Sequence, residues 1–231
     1  MNILITGGSA GMGREAALCL AENKNNHILL TGRNIETLKE VASVSKNNNI
    51  SYFVIDFSGL KSQKDDFVDY IGTLFSGIDI LINNAGYLVN KRFEELGEHE
   101  IKLMMEINFF APAALIRLLL PFMKKGSHIV NISSMGGFQG SVKYSGLSCY
   151  SASKAAIATL SECLATEFAE KGISVNCLAP GSVQTEMFRN AFPGYTAPVT
   201  AEEMGQFIAY FALNGNKFFN GKILPVALSN P

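Results

Sequence analysis

The chain has 231 residues, 48% hydrophobic and 17% charged, which supplies material for a substantial core and excludes intrinsic disorder. Nineteen basic side chains against twenty acidic ones leave a formal charge of −1, so no net positive field is available to hold a nucleic acid or an anionic membrane surface, and neither partner is expected. The opening run Met1-Asn2-Ile3-Leu4-Ile5 lacks the basic flank and small-residue cleavage site of a signal peptide. The four cysteines are scattered with no Cys-x-x-Cys pair and only three histidines exist, so no metal site and no disulfide framework are expected, and a cytoplasmic location fits.

Short β-branched apolar runs alternate with longer stretches of helical period. This pattern predicts one α/β domain, a doubly wound, parallel, seven-stranded Rossmann-like sheet with helices on both faces. In chain order the expected elements are a strand at 2–6, a helix at 14–23, a strand at 27–31, a helix at 35–45, a strand at 51–55, a helix at 64–74 and a strand at 78–83. Helices at 98–109 and 113–124 follow, then a strand at 128–133, a helix at 150–170, a strand at 174–179, a helix at 201–212 and a strand at 222–226. Most of the strands are continuous apolar runs, as expected when both sheet faces are covered. The most apolar stretch, 107–123, is interrupted by Pro112, Arg117 and Pro121 and falls short of the ~20 residues of a membrane span, so it reads as a buried helix. No linker or repeat divides the chain. Residues 182–200 set Pro193, Gly194 and Pro198 around Met187, Phe188 and Phe192, the composition of an apolar substrate loop or lid.

Between the first strand and first helix lies Thr6-Gly7-Gly8-Ser9-Ala10-Gly11-Met12-Gly13. Glycines there permit a tight turn and let backbone N–H groups approach a pyrophosphate at a helix N-terminus, which makes Gly7, Ser9, Ala10, Gly11, Met12 and Gly13 candidate dinucleotide ligands. Twenty residues beyond Gly13 stands Arg33 rather than a carboxylate. A guanidinium pairs with a 2′-phosphate, so NADP(H) is favoured over NAD(H); the alternative is a solvated arginine at the strand end. Asp56, with Phe57 beside it, ends the third strand where it would meet the adenine, a helix N-cap being the other reading.

Tyr150-Ser151-Ala152-Ser153-Lys154 sets a phenol and an ammonium at i and i+4, on one face of a helix. A cation beside a tyrosine favours the phenolate and lowers a pKa that is otherwise near ~10, which would let Tyr150 exchange a proton with a substrate oxygen. Cys149 points about 100° away from Tyr150 on that helix and reads as core.

With these residues the chain resembles the short-chain dehydrogenase/reductase family in its single-domain branch. Five motifs stand in family order: the glycine turn, Asn83-Asn84-Ala85-Gly86, Asn131-Ile132-Ser133-Ser134, Tyr150 to Lys154, and Pro180-Gly181-Ser182-Val183-Gln184-Thr185. The resemblance implies Tyr150 as general acid, Lys154 as the residue that lowers its pKa and binds the nicotinamide ribose, and Ser134 as donor to the substrate oxygen. It implies Asn108 as the holder of a relay water beside Lys154. Asn84, Ala85 and Gly86 would pass beneath the adenosine side, and Pro180, Gly181, Val183 and Thr185 would flank the carboxamide. Ser133 is the alternative to Ser134, and Asn84 and Asn108 can also be read as caps of backbone groups.

The expected activity is therefore NADP(H)-dependent reduction of a small, apolar carbonyl compound, or oxidation of the alcohol; a catalytically idle NADP(H)-sensing module is the alternative. Ser134 precedes Tyr150 by sixteen residues against the family's thirteen, which places three extra residues within 136–147, near Val142-Lys143-Tyr144. The tail, from Val226 to Pro231, departs from the family ending, so a homodimer is expected and a tetramer is left open. The dimer would pair the helices at 98–109 and 113–124 through Leu103, Met104, Leu115 and Leu118.

Overall fold

The computed structural model describes residues 1–228; the last three residues of the atypical tail, 229–231, lie outside the described residues. The strands are β1 (Asn2–Thr6), β2 (His27–Gly32), β3 (Ile50–Val54), β4 (Ile78–Asn83), β5 (Met123–Ile132), β6 (Ser174–Pro180), β7 (Val183–Gln184), β8 (Val199–Thr200) and β9 (Ile223–Val226). The helices are α1 (Gly11–Ala21), α2 (Ile35–Ser43), α3 (Leu60–Leu74), α4 (Glu98–Met105), α5 (Ala111–Leu119), α6 (Ser148–Glu167), α7 (Glu186–Ala191) and α8 (Ala201–Asn214). Seven strands form one parallel sheet in the order β3-β2-β1-β4-β5-β6-β9, while β7 and β8 pair separately.

Alternation within each strand divides the core between the two faces. Ile3, Ile5 and Leu30 pack with Ala16, Leu20 and Ile208 on the α1 and α8 side. Leu4, Leu29 and Leu81 pack with Phe67, Ile71 and Leu115 on the α3 and α5 side. Leu4, Leu29, Phe67 and Leu115 expose no surface, and burying a side chain of this size contributes roughly 1.5–3 kcal/mol. The sheet order reverses between β1 and β4, which opens a crevice at the carboxyl ends of those strands.

Three expectations are corrected. The helix expected at 113–124 stops at Leu119; Leu120–Phe122 is a 3₁₀ turn and β5 begins at Met123. Pro121 has no N–H to continue the ladder, and the first part of β5 is exposed, so no apolar run marked it as strand. Second, α4 and α5 do not separate: a π turn, Glu106–Phe110, joins them. The helical stretch Glu98–Phe122 is thereby 25 residues long and passes a membrane-span test of length and apolarity, although Met104, Ala111, Leu115 and Leu119 are buried inside the domain. Third, Met104 and Leu115 expose no surface, so neither is free to face a second subunit. On that stretch Phe110 is exposed and Leu103 and Leu118 are half-buried.

Segment 182–200 is built rather than loose. Val183 pairs with Val199 and Gln184 with Thr200, the Ala197 amide donates to Gln184 Oε1 at 2.7 Å, and Thr185 caps α7 by accepting from the Phe188 amide at 3.1 Å.

Candidate active site

The crevice is a cleft of about 550 Å³ whose lining includes Gly7, Gly11, Met12, Arg33, Asp56, Ala85 and Gly86. Its floor is the turn from β1 into α1. Gly7 has φ +65 and Gly11 φ +54, backbone that L side chains rarely adopt. A Cβ on Gly7 would also stand 2.9 Å from Ala85 Cα, and one on Gly13 would stand 2.5 Å from Gly7 O and collide with the Asn84 amide. Asn84 makes the closeness possible by donating from Nδ2 to the carbonyls of Thr6 and Gly7, each at 3.0 Å. It straps the glycine turn to the end of β4.

A dinucleotide phosphate fits this floor on the chemistry of its donors. The N-cap of α1, Ala10, offers no side-chain hydrogen bond, and no acidic residue lies in the first turn. The free N–H groups and the positive end of the helix dipole therefore meet no competing carboxylate. Arg33 stands exposed on the cleft wall just beyond β2. Asp56 lines the same wall while capping the next turn, accepting from the Ser58 amide and hydroxyl, each at 2.9 Å.

Tyr150, Lys154 and Ser134 are not among the residues that line this cleft; α6 carries the first two. The ammonium lies 6.0 Å from the centroid of the Tyr150 ring and donates to the Ile132 carbonyl at 2.8 Å. A Cβ on Gly86 would meet Lys154 Nζ at 3.4 Å and Asn108 Oδ1 at 3.5 Å, so Lys154 borders the cleft at Gly86. Burial lowers the Lys154 pKa to about 8, opposed by the Cys177 thiol. Burial pushes the Tyr150 phenol up to about 12, with the Ser134 hydroxyl pulling it back. Loss of hydration outweighs the acidification expected from Lys154, whose ammonium donates to a carbonyl. Tyr150 is a protonated phenol at neutral pH.

The two serines at the end of β5 are distinguished by their partners. Ser133 is buried and donates to the Lys154 carbonyl at 2.6 Å. Ser134 accepts from the Gly136 amide at 3.1 Å, and its hydroxyl is directed to the Tyr150 phenol, whose pKa it lowers. Asn108 is buried within the π turn. Its Oδ1 accepts from the Tyr87 amide at 2.8 Å, and its Nδ2 donates to the Tyr87 carbonyl at 2.8 Å and to Ser153 Oγ at 2.9 Å. Pro112, four residues on, has no N–H to give the Asn108 carbonyl, which accounts for the change of helical pitch there.

A family model described as short chain dehydrogenase matches residues 1–196. The chain belongs to the short chain dehydrogenase family. It is 27% identical over 209 residues to an oxidoreductase of Staphylococcus aureus strain MW2, covering 90% of this chain and 88% of that one. It is 34% identical over 205 residues to mouse dehydrogenase/reductase SDR family member 7B, covering 82% of this chain and 59% of that one. A short chain dehydrogenase from Shigella flexneri 2a, solved in complex with NADP, superposes with a TM-score of 0.88 at 28% identity, covering 97% of this chain and 95% of that one.

Within this short chain dehydrogenase, Gly7, Ser9, Ala10, Gly11, Met12, Arg33, Asp56, Phe57, Asn84, Ala85, Gly86 and Thr185 all line the cleft. Gly13 lies beneath it as a spacer. Gly181 and Val183 are not among the lining residues: a Cβ on Gly181 would stand 2.8 Å from Ala227 Cβ, and the Val183 side chain is buried in the core. Pro180 is the last residue of β6, paired with Val226. Tyr87, Leu88, Asn90, Met187, Asn190 and Ala191 also line the cleft. Tyr87 and Leu88 follow the Asn-Asn-Ala-Gly motif directly and were within reach of sequence reasoning. Asn90, which donates to the Ala191 carbonyl at 2.8 Å, carried no sequence signal because the contact spans a hundred residues of chain.

Proposed function

We propose that this oxidoreductase reduces an uncharged, largely apolar carbonyl compound to its alcohol, or runs the reverse, with NADP(H) as cofactor and Tyr150 as proton donor or acceptor. The reading rests on one grouping, Tyr150, Ser134 and Lys154 beside a cleft whose glycine floor suits a dinucleotide. When bound, the dihydronicotinamide supplies the hydride that the substrate carbon receives. Ser134 donates its O–H to the substrate oxygen and holds it beside the phenol. Tyr150, protonated at neutral pH, gives its proton to that oxygen as charge develops there. The Lys154 ammonium, cationic below its pKa of about 8, stabilises the phenolate that remains. With both Nδ2 donors given to Tyr87 and Ser153, Asn108 would hold a relay water as an acceptor, through its main-chain carbonyl or the second lone pair of Oδ1.

The preference for NADP(H) is supported by Arg33 on the cleft wall and by the NADP complex of the Shigella relative. The homodimer remains part of the reading, through the exposed Phe110 and the half-buried Leu103 and Leu118. The test is Tyr150→Phe in a screen of ketones and aldehydes. Turnover is expected to fall by a factor of about 10² or more while NADPH binding, followed by its fluorescence, stays within twofold of wild type. Undiminished turnover in the variant refutes the mechanism.

A further inference from the structure

Lys143 lies in the loop between Ser134 and Tyr150, and its ammonium makes three hydrogen bonds. Lysine Nζ has three donors; here it reaches the Gly136 carbonyl at 2.9 Å, the Phe138 carbonyl at 2.7 Å and Ser141 Oγ at 2.7 Å. Ser141 Oγ lies in turn 2.5 Å from the Met135 carbonyl and 2.9 Å from that of Phe138. The carbonyls gathered in this way close the 3₁₀ turn Met135–Gly137, where a helical end leaves acceptors without internal partners and favours a cation.

That turn is the seat of Ser134. The Gly136 amide donates to Ser134 Oγ at 3.1 Å while the Gly136 carbonyl is held by Lys143, so a single glycine transmits the position of the ammonium to the hydroxyl. The turn also sits tightly on α6: a Cβ on Gly137 would stand 2.6 Å from the Ala155 amide nitrogen, and one on Gly136 2.9 Å from Ser151 Oγ. Fixing the turn therefore fixes Ser134 against the helix that carries Tyr150.

We propose that Lys143 is a positioning residue for Ser134, clamping the Met135–Phe138 turn so that the serine hydroxyl keeps its orientation toward the substrate oxygen. The proposal rests on the catalytic reading of Ser134 and Tyr150 given above. Although Lys143 is exposed, its three donors are taken by these acceptors, which leaves none for a substrate carboxylate or phosphate.

The experiment compares wild type with Lys143→Met by two independent readouts. Hydrogen exchange of the cofactor-free protein reads the clamp: the amides of Gly136, Gly137 and Phe138 are expected to exchange about tenfold faster in the variant, with α6 unchanged. Steady-state kinetics read the positioning: kcat is expected to fall about tenfold with KM for the carbonyl and Kd for NADPH within twofold, since the serine acts on charge that develops in the transition state. Unchanged exchange overturns the clamp, and a rise in KM with kcat intact overturns the positioning role, leaving Lys143 as an ordinary part of the pocket wall. Should Lys143→Met fail to fold, Ser141→Ala removes one of its three acceptors and is expected to give the same two changes at smaller size; no change in either overturns the proposal. A wild-type protein with no turnover on any carbonyl refutes the functional reading instead, and the exchange measurement then decides the clamp by itself.

Discussion

Acidification is expected to destabilise this protein through one buried imidazole. His128 on β5 exposes 1% of its surface; its Nδ1 lies 2.9 Å from the Ala212 carbonyl at the end of α8 and its Nε2 3.0 Å from Asn176 Nδ2 on β6. The pair of contacts assigns the tautomer: Nδ1–H donates to the carbonyl and Nε2 accepts from the amide. A second proton would set Nε2–H against an N–H, in a site from which water is excluded. Burial accordingly lowers the pKa from 6.5 to about 4, the Ala212 carbonyl opposing it. The unfolded chain takes up this proton near pH 6.5 and the folded one only near 4. The contribution of the neutral ring is thus complete above about 6.5 and is lost progressively as the pH falls toward 4. A shift of that size corresponds to about 3 kcal/mol at ~1.4 kcal/mol per unit, a large part of the stability of a single domain. Urea unfolding between pH 7.5 and 4.5, in wild type and in His128→Leu, isolates this contribution: the variant starts less stable but loses less on acidification, because the carboxylates titrate alike in both. Only three histidines are present, so the imidazole resonances can be followed individually by NMR. Parallel pH profiles for the two proteins, or a His128 resonance titrating near 6.5, would refute the reasoning.

Arg33→Asp is expected to reverse the ratio of kcat/KM for NADPH over NADH by at least tenfold, since a carboxylate repels a 2′-phosphate and accepts from ribose hydroxyls; an unchanged ratio removes Arg33 from cofactor selection. Asn108→Leu deletes three hydrogen bonds and leaves the Tyr87 N–H and C=O unpaired, a loss of ~3–5 kcal/mol measurable as a fall in urea midpoint. In the reductive direction the rate is expected to decline above pH about 8 as Lys154 loses its proton, and Lys154→Met should show a low rate without that limb.

Much of this protein follows from local chemistry that a sequence carries. Continuous apolar runs separated by helical periods specify a doubly wound parallel sheet, because strands covered on both faces have no other composition available to them. The glycine turn needs Gly7 and Gly13 whatever binds above it, and the Tyr150-to-Lys154 spacing puts two side chains on one helical face by pitch alone. What the sequence could not carry is competition among partners distant in the chain. Ser133 and Ser134 are equivalent as neighbours; the Lys154 carbonyl claims one and leaves the other to the Gly136 amide and the Tyr150 phenol. Asn108 is a polar residue in an apolar helix until Tyr87 folds against it. The phenol of Tyr150 is acidic or not according to how far it is buried, and the packing around it decides that. Residues 182–200 look loose by their prolines and glycine, yet a two-residue strand pair and a capped helix order them. In each case the sequence determined which groups were available, and the tertiary structure decided which of them were already satisfied and which were left free to act.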